Sequence, residues 1–395
     1  MMTEEAPQQQ RIASIDEIIH AAVNLARYCL GMDVAFVTEF KQGRRIFRHI
    51  AARSTQVPIK VGDSHPLDES YCQRIVSGEI PALVDDSHIY PMLKALGATA
   101  AMEIRAHLGV PIWLSDGSVF GTFCCYSRTP MSTLRDTDVV AMTRFSHLIA
   151  IMLEQRILVE RAQASASLRL SEIIEQDAMY TAYQPIFDLS TDEVAGFEAL
   201  ARFRCEPARG PAQWFADAHS AARGVEFELL AISKAIKGIG RLRPDAYLSL
   251  NVAPSTILSG GLAAALADVP PERLVLELTE HAPIEEYGAL NAALASLRNA
   301  GLKLAIDDAG SGYASFRHIL QLSPDIIKLD QSLIRDIDLD HGRRALAMGL
   351  ITFAKETGST IVAEGIENER ELAVLKSLGV DTGQGYLLGR PAPLA

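Results

Sequence analysis

Leu302-Lys-Leu-Ala-Ile-Asp-Asp308 is an apolar run that ends in two carboxylates. Side chains alternate along a strand, so Ala305 and Asp307 share one face. The same arrangement recurs along the second half of the chain. In Tyr247-Leu-Ser-Leu-Asn251, Ser249 and Asn251 share a face, and in Leu274-Val-Leu-Glu-Leu-Thr-Glu280, Val275, Glu277 and Thr279 do. In Asp325-Ile-Ile-Lys-Leu-Asp330, Lys328 follows Ile326 on one side. Val362 precedes Glu364, Thr382 precedes Gln384, and Glu198 follows Val194-Ala-Gly-Phe. Small or apolar residues come first on nearly every strand, and a polar group stands near its C-terminal end.

From Ala178 onward, eight β-rich runs alternate with helical segments: Ala182–Leu189, Val194–Leu200, Tyr247–Val252, Leu274–Glu280, Leu302–Asp307, Asp325–Leu329, Thr360–Glu364 and Thr382–Leu387. This rhythm predicts an α/β fold, a (β/α)8 TIM-type barrel. An open doubly wound sheet is the competing fold. It would place a site at one crevice rather than draw on nearly every strand.

The polar set comprises Glu198, Asn251, Glu277, Asp307, Asp308 and Glu364, with Lys328 and Gln384. Five carboxylates in one barrel mouth repel one another, so their pKa values rise or cations bind. Oxygen ligands of this kind suit Mg²⁺ or Mn²⁺. A pair such as Asp307-Asp308 suits two neighbouring cations. The alternative is a salt-bridge network, which needs several basic partners in the same strands. Mainly Arg202 and Lys328 are available.

The rest of the chain limits the choices further. The 395 residues carry a net charge of −12 with no long basic run, which argues against binding DNA through its phosphates. No apolar run is long enough for a membrane span, and MMTEEAPQQQ lacks the features of a signal peptide. Residues 1–11 are expected to be disordered. Cys29, Cys72, Cys124, Cys125 and Cys205 have no zinc spacing and read as reduced thiols, which suits a cytoplasmic protein. Cys124 and Cys125 should face opposite ways on a strand from Val119 to Ser127.

Residues 12–153 mix helices and strands as an α+β domain. Val34–Phe40 and Arg45–Ala52 form a strand pair around Gln42-Gly43, and Leu134–Leu158 is a long helix. Residues 154–177 hold no Gly or Pro and read as a helical linker to a barrel over 178–395. Met142, Phe145, Ile149 and Met152 fit a heptad that Arg156 interrupts, a weak coiled-coil pattern.

Phe197-Glu-Ala-Leu-Ala-Arg202 resembles the signature of the EAL-domain phosphodiesterases. The resemblance continues through Tyr183-Gln-Pro185, Leu250-Asn-Val252, Glu277-Leu-Thr-Glu280 and Ile306-Asp-Asp-Ala-Gly-Ser-Gly-Tyr313. It extends through Asp325-Ile-Ile-Lys-Leu-Asp330, Val362-Ala-Glu-Gly-Ile-Glu367 and Gly383-Gln-Gly-Tyr-Leu-Leu-Gly-Arg-Pro391. Residues 12–153 resemble a GAF domain through Ser70-Tyr-Cys-Gln-Arg-Ile-Val-Ser-Gly78 and Gly117-Ser-Val-Phe-Gly-Thr-Phe-Cys-Cys125.

The first resemblance implies a modified barrel that hydrolyses cyclic di-GMP to linear pGpG with two Mg²⁺ or Mn²⁺ ions. It implies that Glu198, Asn251, Glu277, Asp307, Asp308 and Glu364 hold the metals. Lys328 would orient the attacking water or stabilise charge, beside Glu364. Gln184, Leu200, Arg202 and Gln384 would contact the dinucleotide. Glu280 and Glu367 would support the active-site loop and a water. A homodimer is expected as well. The alternative is a catalytically silent receptor, against which the complete acid set counts. Ala309 stands where an aromatic is usual, Ala314 replaces a common Ser, and His281 follows Glu280. The second resemblance implies a sensory module with an unknown ligand, or none. Cys72 lacks the surroundings of a bilin site, and His65, His88 and His107 read as surface or core residues rather than haem ligands.

Overall fold

The computed structural model describes residues 14–279, 284, 286–309 and 314–394. The chain divides into two compact units, residues 1–162 and 163–395.

In the first unit, β1 (Val34–Lys41), β2 (Arg44–Ala52), β3 (Ser64–Pro66), β4 (Leu83–Val84), β5 (Ala106–Trp113) and β6 (Val119–Ser127) form one sheet. Its order is β3-β2-β1-β6-β5-β4, and the pairings are antiparallel. The β1–β2 turn is made at Gln42 and Gly43, both with positive φ, the geometry that matches strand twist in a tight hairpin. The helix Ile15–Cys29 starts at Ser14 with a capping box closed by Glu17.

This sheet separates two cores. On one face Ile19, Val23, Val37, Phe123 and Cys125 pack with Met142, Ile149 and Leu153. On the other, Phe36, Phe47, Tyr71, Cys72, Cys124 and Tyr126 pack together. Cys124 and Cys125 therefore enter different cores, as strand alternation requires. Met142 and Ile149 are buried against the domain's own sheet, with Phe145 and Met152 packed against that core. The heptad spacing thus reflects an amphipathic helix laid on a sheet, not a coiled-coil seam. The two patterns are hard to separate over three turns. That helix runs Asp136–Glu175.

In the second unit, β7 (Met179–Asp188), β8 (Val194–Phe203), β9 (Tyr247–Asn251), β10 (Leu274–Thr279), β11 (Lys303–Ala309), β12 (Ile326–Leu329), β13 (Thr360–Ala363) and β14 (Thr382–Gly383) close a barrel. The ladder from β8 through to β14 is parallel, whereas β7 is antiparallel to both its neighbours, β8 and β14. This inverted strand is the modification of the (β/α)8 plan.

The last strand is shorter than the expected Thr382–Leu387. After Gly383 the chain turns back on the segment following β13. Gln384 donates its backbone N–H to Ala363, and Leu387 donates to Ile366. A Cβ on Gly385 would lie 2.2 Å from the Ile366 backbone, so glycine makes this close approach possible.

Strand alternation divides the barrel interior into two levels. Ile186, Val275, Ala305, Ile326 and Val362 form an apolar cluster, with the Tyr247 ring packed against it. A Cβ on Gly196 would meet that ring at 2.7 Å, so the missing side chain makes room for it. Two residues further along each parallel strand come Glu198, Ser249, Glu277, Asp307, Lys328 and Glu364.

Candidate metal centre and adjoining cavity

Lys328 is 1 % exposed and stands at the centre of the acidic level. Its Nζ lies 2.7 Å from Glu277, 2.7 Å from Glu364, 3.1 Å from Asp307 and 3.7 Å from Glu198. Glu277 also accepts a 2.5 Å hydrogen bond from the Ser249 hydroxyl. Ser249 was legible as a face-mate of Asn251, but its role as a clamp on Glu277 was not. Only cross-strand register brings these two residues together.

Glu198 accepts from Asn251 at 3.0 Å and from the Gln384 amide at 2.7 Å. The same Gln384 nitrogen donates to Glu364 at 3.0 Å. Gln384 thus ties two carboxylates together, while its own oxygen is buried with no partner among the described residues.

Asp307 and Asp308 are consecutive, and regular alternation would send them to opposite faces. The β11–β12 register is interrupted between Ile306 and Ala309, and Asp308 takes a left-handed backbone with φ of 57°. Asp is one of the few residues that tolerate this conformation. As a result, oxygens of Asp307, Asp308 and Glu364 all lie within 4.8 Å of one another.

Four carboxylates therefore surround one ammonium, and Asp308 adds a fifth beside Asp307 and Glu364. Burial pushes the carboxyl groups of Glu277 and Glu364 well above the ordinary range. Lys328 opposes the shift, and Glu198 and Asp307 add to it. Such acids either keep protons or exchange them for cations. The all-oxygen donor set and its excess negative charge fit Mg²⁺ or Mn²⁺. The buried Gln384 oxygen is a further acceptor for a donor entering the site.

The other expected site residues are placed differently. Leu200 and Arg202 line a cavity of about 360 Å³ beside Asn251, with Thr181, Phe215 and Glu228. Arg202 donates to the Ala201 carbonyl at 2.9 Å. Gln184 is buried and donates to the Gly389 carbonyl at 3.1 Å. Glu367 is exposed and accepts from Gln331 at 3.3 Å. Among the described residues it makes no hydrogen bond to the acid cluster. Glu280, His281 and residues 310–313 lie outside the described residues.

The EAL domain model matches residues 167–391, and the GAF domain model matches residues 14–153. The chain is 26% identical over 327 residues to the cyclic di-GMP phosphodiesterase PdeB of Shewanella oneidensis. That match covers 77% of this chain and 38% of PdeB. Among solved structures, the PaMucR phosphodiesterase in complex with c-di-GMP is 26% identical with a TM-score of 0.53. It covers 58% of this chain and 98% of that one. A manganese and c-di-GMP complex of Klebsiella pneumoniae BlrP1 is 32% identical with a TM-score of 0.50, over 54% of this chain and 56% of that one. The chain spans less than half the length of the curated relatives PdeB and the Mycobacterium tuberculosis protein Rv1354c.

Proposed function

This chain belongs to the EAL-domain family and also carries a GAF domain, and we propose that it hydrolyses cyclic di-GMP to linear pGpG. The observation that carries the reading is the convergence of Glu198, Glu277, Asp307 and Glu364 around Lys328, with Asp308 beside Asp307 and Glu364. The similarity to the phosphodiesterases PdeB and PaMucR supports it.

In this proposal Glu198, Asn251, Glu277, Asp307, Asp308 and Glu364 hold two divalent cations, Mg²⁺ or Mn²⁺. When bound, such cations lower the pKa of water and neutralise phosphoryl charge. The reaction is an in-line displacement at phosphorus in which the ribose 3′ oxygen leaves. One cut opens the ring. Lys328 fixes the orientation of Glu277 and Glu364 and supplies positive charge toward the equatorial phosphoryl oxygens. Gln384 holds Glu198 and Glu364 in place and, with Gln184, faces the dinucleotide. Leu200 and Arg202 offer an apolar wall and a cation to a guanine nucleotide in the adjoining cavity. Glu280 and Glu367 support the loop beside the site.

The first domain is proposed to tune the barrel, and the acting species to be a cytoplasmic homodimer. No described helix is long and apolar enough to cross a membrane.

The test is incubation with cyclic di-GMP after EDTA treatment, with and without restored Mg²⁺ or Mn²⁺, and resolution of the products. Linear pGpG only in the restored samples is the expected result. Tight binding of the dinucleotide without product would replace the enzyme reading with the receptor reading.

A further inference from the structure

Arg45 in the first unit is 3 % exposed, yet no carboxylate among the described residues pairs with it. Its polar contacts are weak. One guanidinium nitrogen is 3.5 Å from the Cys72 sulfur, and another is 3.5 Å from Nδ1 of His65. Its Nε is buried with no partner among the described residues, and the group lies 5.1 Å from the centroid of the Phe47 ring. A guanidinium stays charged at any physiological pH, and burying an uncompensated charge costs several kcal/mol. The described residues thus set a buried cation beside a sulfur and an imidazole and give it no carboxylate.

Arg45 also lines a cavity of about 210 Å³. Most of the other lining is apolar: Pro58, Ile59, Ala98 and Met102 are among its walls, with His65 at one side. Glu69, the acid on that lining, is exposed and forms no ion pair with Arg45. The volume equals that of roughly seven waters, below the ~300 Å³ at which sites for drug-sized ligands begin.

We propose that this cavity is a binding site for a small organic monocarboxylate, held by Arg45 through its head and by Pro58, Ile59, Ala98 and Met102 along its body. A carboxylate matches the guanidinium fork with two parallel hydrogen bonds, which the Cys72 sulfur and the His65 nitrogen, each at 3.5 Å, do not provide. The apolar walls add affinity for a short hydrocarbon body and none for a fully hydrated inorganic anion. The neighbouring Cys124 thiol and then Arg45 hold the Cys72 thiol well below the ordinary range, so Arg45 already favours negative charge on a group beside it. The site is independent of the reaction assigned to the barrel.

The experiment is calorimetric titration of the whole chain with butyrate, and separately with inorganic phosphate at matched ionic strength. Saturable butyrate binding, weakened by at least about ten-fold in Arg45→Met, is the expected result, because the variant removes the charge-assisted hydrogen bonds to the carboxylate. Ala98→Leu keeps the guanidinium and narrows the cavity, and it should weaken butyrate binding as well. The Ala98→Leu result stands by itself if Arg45→Met fails to fold. Phosphate binding in place of butyrate would overturn the carboxylate assignment. Absence of butyrate binding to the unsubstituted chain, or equal binding to all three proteins, would overturn the site.

Discussion

The Nζ of Lys328 lies 2.7 Å from a carboxylate oxygen of Glu277, and each of these side chains is 1 % exposed. Neither group is stable alone at that depth, since a buried charge without its partner costs several kcal/mol. The pair is anchored on both sides. Ser249 holds the other oxygen of Glu277, and Glu364 and Asp307 also face the ammonium.

Lys328→Ala should lower kcat by about 10²-fold or more, the scale of losing one charge-stabilising donor. Substrate affinity should change less, because Leu200 and Arg202 line the adjoining cavity, whose lining does not include Lys328. Steady-state kinetics check this. A large rise in KM with unchanged kcat would make Lys328 a binding residue.

Glu198→Ala and Asp307→Ala should each abolish hydrolysis, as each removes a proposed cation ligand. Asp308→Asn tests the left-handed position separately. Asn tolerates the same backbone, so thermal stability should hold while Mn²⁺ affinity falls by about ten-fold or more. Calorimetric titration with Mn²⁺ measures the fall. Unchanged affinity would remove Asp308 from the metal site.

His107 should make the first unit sensitive to acid. The ring is 1 % exposed, lies 4.7 Å from the Tyr71 ring, and has neither nitrogen partnered. Burial, and then Arg45, push its pKa from 6.5 down to about 3. The unfolded chain thus binds the proton more readily. His107 imposes no penalty above pH 6.5, and stability falls with pH between 6.5 and 3. At pH 5 the loss is about 2 kcal/mol. Denaturant midpoints at pH 7 and 5 should converge in His107→Phe. An equal drop in both proteins would show that His107 is not the cause.

Gly196→Ala should destabilise the barrel by about 1–3 kcal/mol, because the new methyl group would meet the Tyr247 ring at 2.7 Å. A denaturation midpoint unchanged from wild type would show that Tyr247 moves aside without cost.

The helix Asp136–Glu175 contains no Gly or Pro and joins the sequences of the two units. A Gly-Gly insertion after Ala164 should leave hydrolysis possible but change its basal rate or Mg²⁺ dependence. Identical kcat and Mg²⁺ curves would show that this path carries no control.

The sequence by itself determined the α/β class and the acidic level of the barrel. Strand alternation is a local property, so Ala305 and Asp307, or Val362 and Glu364, could be assigned to a common face without knowing their neighbours. The motif runs supported the EAL reading over the same residues. Tertiary structure decided what depends on contacts between distant strands. The inversion of β7 follows from pairing with β8 and β14. The meeting of Asp307 and Asp308 at one site needed a register break and a positive φ, neither of which alternation predicts. Ser249 and Gln384 acquired their roles through Glu277, Glu198 and Glu364, residues 20 to 186 positions away in the chain. The heptad in 142–152 was resolved only by seeing which surface covers it, since a helix on a sheet and a helix on a helix bury similar stripes. Arg45 was invisible among exposed-looking strand residues, because burial and the lack of a carboxylate partner are properties of the space around a side chain and not of its place in the sequence.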